Sequence, residues 1–228
     1  MKLLGIANTK TMKGEAYGYR TYIMHLAPST LSGYQVCPMA SVGCSTACLN
    51  LSGMGRFSNV QAARIAKTRW FFEDRMAFMA QLVKEIAAAV KSAEKAGFKA
   101  VFRLNGTSDI RWEAVSVYGY DNVMAMFPTV QFYDYTKIPN RRYLPANYHL
   151  TFSRSEVNEV EALSVISTGM NVAVVFDTIP DTWNGWKVVD GTETDLRFLD
   201  EARVVVGLKA NGKAKQDATG FTVLTRAA

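Results

Sequence analysis

All three cysteines of the 228-residue chain fall in one short window, Cys37-Pro38-Met39-Ala40-Ser41-Val42-Gly43-Cys44-Ser45-Thr46-Ala47-Cys48, a C-x6-C-x3-C pattern. Thiols that merely fill a core would be scattered over several strands and helices. Thiolates that hold one inorganic centre have to converge, and convergence is easiest from a single loop. Cys44 and Cys48 stand at i and i+4, on one face if the piece between them is helical. Gly43 permits a tight turn into that helix. Cys37 precedes a proline, which biases it towards extended backbone, so it can approach the same point from the other side. A helix start here would also offer amide donors to thiolate or sulfide.

Three states suit this pattern. A [4Fe–4S] cluster on Cys37, Cys44 and Cys48 would leave one iron for a substrate, a cofactor or a non-cysteine ligand. A Cys3His zinc site would recruit His25 or His149, the only histidines. The third state is three reduced thiols without metal. Structural zinc is usually built from two closely spaced ligand pairs, and no second such pair exists here, so the iron–sulfur centre leads.

The elements around the loop must position it. Thr21–Ala27 has strand character and Pro28 ends it. Residues 8–20 before it read as a polar lead-in loop, and Ser29–Val36 delivers the chain to Cys37. After the cysteines Gly53 and Gly55 loosen the backbone, and Ser58 or Asn59 caps a helix running to Phe72. Over Asp74–Ala96 the residues Met79, Leu82, Val83, Ile86, Ala87 and Val90 form one apolar stripe, opposite Lys84, Glu85, Lys91, Glu94 and Lys95. Gly97 stops that helix. Strands are then expected at 99–104, 130–135, 148–153, 171–176 and 203–208, with helices over 121–127 and 155–168 between them. About six mostly parallel strands with intervening helices predict one α/β domain over residues 1–228, a partial (β/α) barrel with its cluster-binding loop at 37–48.

Nearly every strand stops at a polar group. Ligands of parallel α/β folds bind beyond the carboxyl ends of the strands, because the loops there share one rim. Asn105, Asp109, Asp134, Lys137, Arg154, Asp177 and Lys209 are therefore the expected cofactor-binding residues. Arg64, Lys67 and Arg69 read as a solvated helix face with charge to balance thiolates. Trp183 and Trp186 flank Asn184-Gly185 as a turn with packing aromatics.

Composition limits the function classes. The apolar content of 49% and charged content of 20% are those of an ordinary globule with a substantial core. A net charge of +6 admits an anionic partner such as nucleic acid without demanding one, since no long basic run exists. Met1–Lys10 lacks the apolar run of a signal peptide, and no stretch reaches the length of a membrane span. With thiols expected in the reduced state, a cytoplasmic location is expected. There is no Walker-type Gly-Lys motif, no G-x-S-x-G elbow and no H-E-x-x-H.

A cysteine triplet following a first strand and preceding a βα series resembles the radical S-adenosylmethionine enzymes. Their triplet is typically C-x3-C-x2-C, and their second strand commonly ends in a Gly-Gly-Glu-like segment, where this chain has Asn105-Gly106-Thr107-Ser108-Asp109. That resemblance implies a radical-SAM-like partial barrel, a [4Fe–4S] cluster and S-adenosylmethionine at the open iron. Cys37-Pro38-Met39-Ala40, Cys44 and Cys48, together with the later turn Gly106–Asp109, also resemble three-cysteine proteins of phages and mobile elements. That likeness brings no reaction with it and implies a host cytoplasm. The expected function is thus a phage-type iron–sulfur protein, either a radical-SAM-like enzyme acting on a small molecule or a redox or sensing module served by an electron donor. A zinc-stabilised, nucleic-acid-associated accessory protein is the remaining alternative.

Overall fold

The structure, a computed structural model, describes residues 1–6 and 12–225. Ten strands form one mostly parallel sheet: β1 (Leu4–Ile6), β2 (Tyr19–Met24), β3 (Lys99–Arg103), β4 (Gln131–Thr136), β5 (Tyr148–Ser153), β6 (Val172–Phe176), β7 (Thr182–Trp183), β8 (Trp186–Asp190), β9 (Val205–Lys209) and β10 (Thr222–Val223). Their spatial order is β1-β2-β3-β4-β5-β6-β9-β8-β7, with β10 beside β6. β2 through β6 and then β9 run parallel, while β1 on β2 and β7 on β8 are antiparallel. The sheet is open, not a closed barrel.

Five α-helices lying within the described residues accompany it: α1 (Val42–Thr46), α2 (Ser58–Glu73), α3 (Arg75–Lys95), α4 (Val123–Met126) and α5 (Glu159–Ser167). The register puts Tyr22, Phe102, Phe132 and Tyr148 on one face, continued by Phe152, Val172 and Val205. Phe71, Phe78, Leu82 and Ile86 of α2 and α3 pack on the first part of that face. Ala162 and Ile166 of α5 pack on the second. Helices on a single face follow from right-handed crossovers between strands laid down in sequential order.

The opposite face carries Thr21, Arg103, Tyr133, Tyr135, His149 and Thr151. It is covered by residues 195–199, through the Arg103–Asp195 ion pair at 2.6 Å and the packing of Leu196 and Phe198.

The long elements lie close to their expected bounds. α3 is capped by Asp74, whose side chain accepts from Ala77 N at 3.1 Å, and ends before Gly97 at φ +80°. Its buried stripe is Phe78, Met79, Leu82, Ile86, Ala89 and Ala93, so the face is turned slightly from the expected one. The count of six strands is corrected to ten among the described residues: β1, β7, β8 and β10 are only two to five residues long and carry no periodicity of their own. Trp183 and Trp186 close the β7–β8 hairpin around Asn184 and Gly185, both at positive φ. Instead of a loosened stretch, Gly53 and Gly55 belong to a 3-10 turn. Of the lead-in loop, residues 8–11 lie outside the described residues, Lys13–Tyr17 form a 3-10 turn, and Tyr19 and Arg20 already belong to β2.

Candidate functional site at the cysteine loop

The cysteine loop sits over the carboxyl ends of β3, β4 and β5. It is held there by contacts whose donors and acceptors are spread along the sequence. After β3 the chain turns at Gly106, where a Cβ would stand 2.6 Å from Ile23 Cγ2 and 2.6 Å from Met24 O, so only glycine permits the approach. Gly106 N donates to Met24 O at 3.0 Å and Thr107 Oγ1 to Leu26 O, which fixes the turn against the end of β2. That turn grips the loop: Asp109 N donates to Val36 O at 2.7 Å and the Cys37 thiol to Thr107 O at 3.7 Å. The two motifs behind the phage-type resemblance are therefore in contact.

The second half of the loop is α1, with Ser41 as its N-cap accepting from Cys44 N at 3.1 Å. Glu156, just beyond β5, accepts from Gly43 N at 2.7 Å and from Ser41 Oγ at 2.8 Å. The amides expected to be available for thiolate or sulfide are thus engaged by the protein itself. Gly43 has an ordinary φ and is needed for close approach instead of a turn. A Cβ there would lie 2.3 Å from Thr219 Oγ1 and 2.6 Å from Phe221 Cβ. The C-terminal turn it touches is fixed by Arg154, which donates to Gly220 O and Phe221 O and pairs with Glu159.

All three thiols are free and half-buried. Burial pushes Cys37 up to about 11 and also raises Cys48; the negative charge of Cys48 and Cys44 adds to the rise at Cys37, and that of Cys44 to the rise at Cys48. Opposing it, Arg64 and Lys137 favour the thiolate at Cys48. Arg64 is buried, not on a solvated face; it donates to Asn50 Oδ1 at 2.5 Å and its Nε has no partner. Lys67 donates to Leu3 O at 3.2 Å and Arg69 to Ser32 O at 3.0 Å, so neither belongs to the site.

Asp109 and Lys137 join the cysteines. The Asp109 carboxylate accepts from Lys137 N at 2.7 Å and faces Arg141 at 3.7 Å, and its charge reaches Cys37. Lys137 Nζ donates to Ser153 Oγ at 2.6 Å and lies over the Phe221 ring. Asn105 and Asp134 instead serve the scaffold. Asn105 Oδ1 accepts from Ser108 Oγ, Ile110 N and Trp112 Nε1, which leaves it no capacity for a ligand. Asp134 is fully buried and accepts from Asn105 N at 2.9 Å and from Tyr148 OH at 3.0 Å. Asp177 anchors Thr225 through its backbone N and Oγ1, and Lys209 is exposed at the end of β9.

Glu156, Asn50 and the Glu113–Arg141 pair were not anticipated, although Glu156 adjoins the expected Arg154. They carry no pattern of their own, because their role arises only where separate loops meet.

Among the described residues, no three His, Cys, Asp or Glu side chains stand as a group able to hold a single metal ion. His25 lies near Arg64, Arg103 and Lys67, and its basicity is pushed down to about 3, chiefly by burial. His149 is on the opposite sheet face with its Nε2 unpartnered. Neither completes a Cys3His set. A cubane makes a different demand, taking one thiolate per iron. Three free, half-buried thiols on one loop, with the buried Arg64 favouring the thiolate at Cys48, are donors of that type.

Fold and site together define an α/β protein that presents a three-cysteine loop on the carboxyl rim of a mostly parallel sheet. The chain belongs to the Gene product 88 family, whose model matches residues 1–223. No curated protein and no solved structure matches it significantly. The family match agrees with the phage-type side of the resemblance. Among the described residues no helix is long and apolar enough to cross a membrane.

Proposed function

We propose that this chain is an iron–sulfur protein in which Cys37, Cys44 and Cys48 hold one [4Fe–4S] cluster and one iron lacks a cysteine ligand. A cluster so held would supply one-electron chemistry, with the fourth iron open to a further ligand. The observation that supports this reading is the gathering of all three free thiols on one clamped loop beside the buried Arg64. The residues of the chain divide the remaining work. Glu156 and the Gly106–Asp109 turn fix the loop, Arg64 and Lys137 offset thiolate charge at Cys48, and burial desolvates Cys37 and Cys48.

Two activities fit such a centre. The radical-SAM-like reading needs polar groups to bind the methionyl part of S-adenosylmethionine near the end of β3. In the turn after β3 the Asn105 side chain, the Gly106 amide and the Thr107 carbonyl are already engaged within the protein. That favours the redox or sensing module. Electron paramagnetic resonance of the reduced, reconstituted protein separates the two. A cluster signal unchanged by S-adenosylmethionine, with no cleavage product, is the expected result. A perturbed signal with cleavage would establish the radical enzyme instead, and the absence of any cluster signal would overturn both.

A further inference from the structure

The cysteine loop and the turns that follow it carry exposed apolar side chains that the cluster itself does not need. Met39, Val42, Leu49, Leu51, Met54 and Phe57 are all exposed, Val42 by 73%, Leu49 by 64% and Met54 by 70%. Val42 lies on α1 and Leu49, Leu51 and Met54 on the two consecutive 3-10 turns that follow Cys48, with Met39 in the turn before α1 and Phe57 directly after the second 3-10 turn. Soluble proteins seldom leave a run of large apolar side chains in water without a partner.

The exposed charge on the turns after Cys48 is basic. No Asp or Glu occurs from residue 16 to residue 72, and the carboxylates that meet the loop from elsewhere, Glu156 and Asp109, accept hydrogen bonds from Ser41, Gly43 and Lys137. Exposed Arg56 sits within the apolar turns, over the Phe57 ring. A second basic turn, Gly212–Gln216 with exposed Lys213 and Lys215, is placed alongside. A Cβ on Gly212 would stand 3.7 Å from Ser52 Cβ.

We infer that this cationic, apolar face docks a small acidic electron-carrier protein over the cysteine loop, a role that rests on the iron–sulfur reading above. A second copy of the chain would set like charge against like. Single-stranded nucleic acid would call for stacking aromatics, and Phe57 is the only aromatic side chain among the six. Methionine and leucine at the centre with Arg and Lys around them match a protein interface, and the charge would steer an acidic partner into register. The step is the transfer of one electron from the carrier's reduced centre to the cluster; no bond is made or broken and no proton is required.

The test uses the full chain and an acidic plant-type [2Fe–2S] ferredoxin as probe, with basic cytochrome c and a single-stranded oligonucleotide as comparisons. Binding to ferredoxin alone, weakening with salt, is expected. Met54→Glu, and separately Lys213→Glu with Lys215→Glu, should each weaken it by about tenfold or more at unchanged iron content. Variants that bind like the parent, or an oligonucleotide that binds through the same residues, would overturn the proposal. Iron-replete protein that fails to bind ferredoxin would overturn the surface and leave the cluster. An iron-free chain that still binds it residue-dependently would overturn the electron-transfer role.

Discussion

At the scale of single residues, a buried cation facing Cys48 and a buried carboxyl in the scaffold each give a distinct signature. Arg64 is held by Asn50 and faces Cys48. Replacing it with methionine keeps the stem and removes the charge that offsets the thiolates. Arg64→Met is expected to fold, to lose half or more of its iron after desalting, and to shift the reduction potential of the remainder to more negative values. Iron retention equal to that of the parent would show the charge to be irrelevant. Asp134 gives a pH signature. Burial raises its carboxyl to about 7, against the pull of Arg103, the Asn105 amide and Tyr148. A carboxyl raised in this way binds its proton more tightly in the folded than in the unfolded chain. Its contribution to stability is therefore complete below ~pH 4 and declines as the pH climbs towards 7. Asp134→Asn should flatten that decline in urea-unfolding midpoints between those limits; an unchanged slope would assign it elsewhere.

At the scale of elements, the loop depends on packing that the sequence shows only in part. The long amphipathic α3 and the strands β3, β5 and β6 were legible because apolar spacing and glycine stops agree over many residues. The turn at Asn105–Asp109 was visible as a polar end to a strand, but its use as a clamp on Cys37 was not, since that contact spans some seventy residues. Gly43 illustrates the difference. Its presence suggested a turn, whereas the reason is that Thr219 and Phe221 leave no room for a Cβ. Gly43→Ala should cost roughly 1–3 kcal/mol by overpacking. Its expected signs are a lower melting temperature and faster proteolysis within residues 37–48. A variant as stable and as protease-resistant as the parent would mean that α1 does not need the C-terminal turn.

For the whole molecule, the sequential strand order places every loop after β2, β3, β4 and β5 on one rim, and the cysteine triplet joins that rim. This much could be anticipated from the alternation of strands and helices. How far the sheet curves towards the expected partial barrel could not, because curvature depends on how distant strands twist against one another, and no local pattern records it. The seven rim residues expected from strand ends divide by burial and partners: Asp109 and Lys137 reach the cysteines, while Asn105, Asp134 and Arg154 have become scaffold. What remains legible at every scale is the C-x6-C-x3-C triplet, and the account stands on it. The most direct test is iron and acid-labile sulfide analysis of anaerobically purified protein beside Cys44→Ala. About four irons and four sulfides per chain, lost together in the variant, is the expected result. Stoichiometric zinc without sulfide, or full iron content in Cys44→Ala, would contradict it.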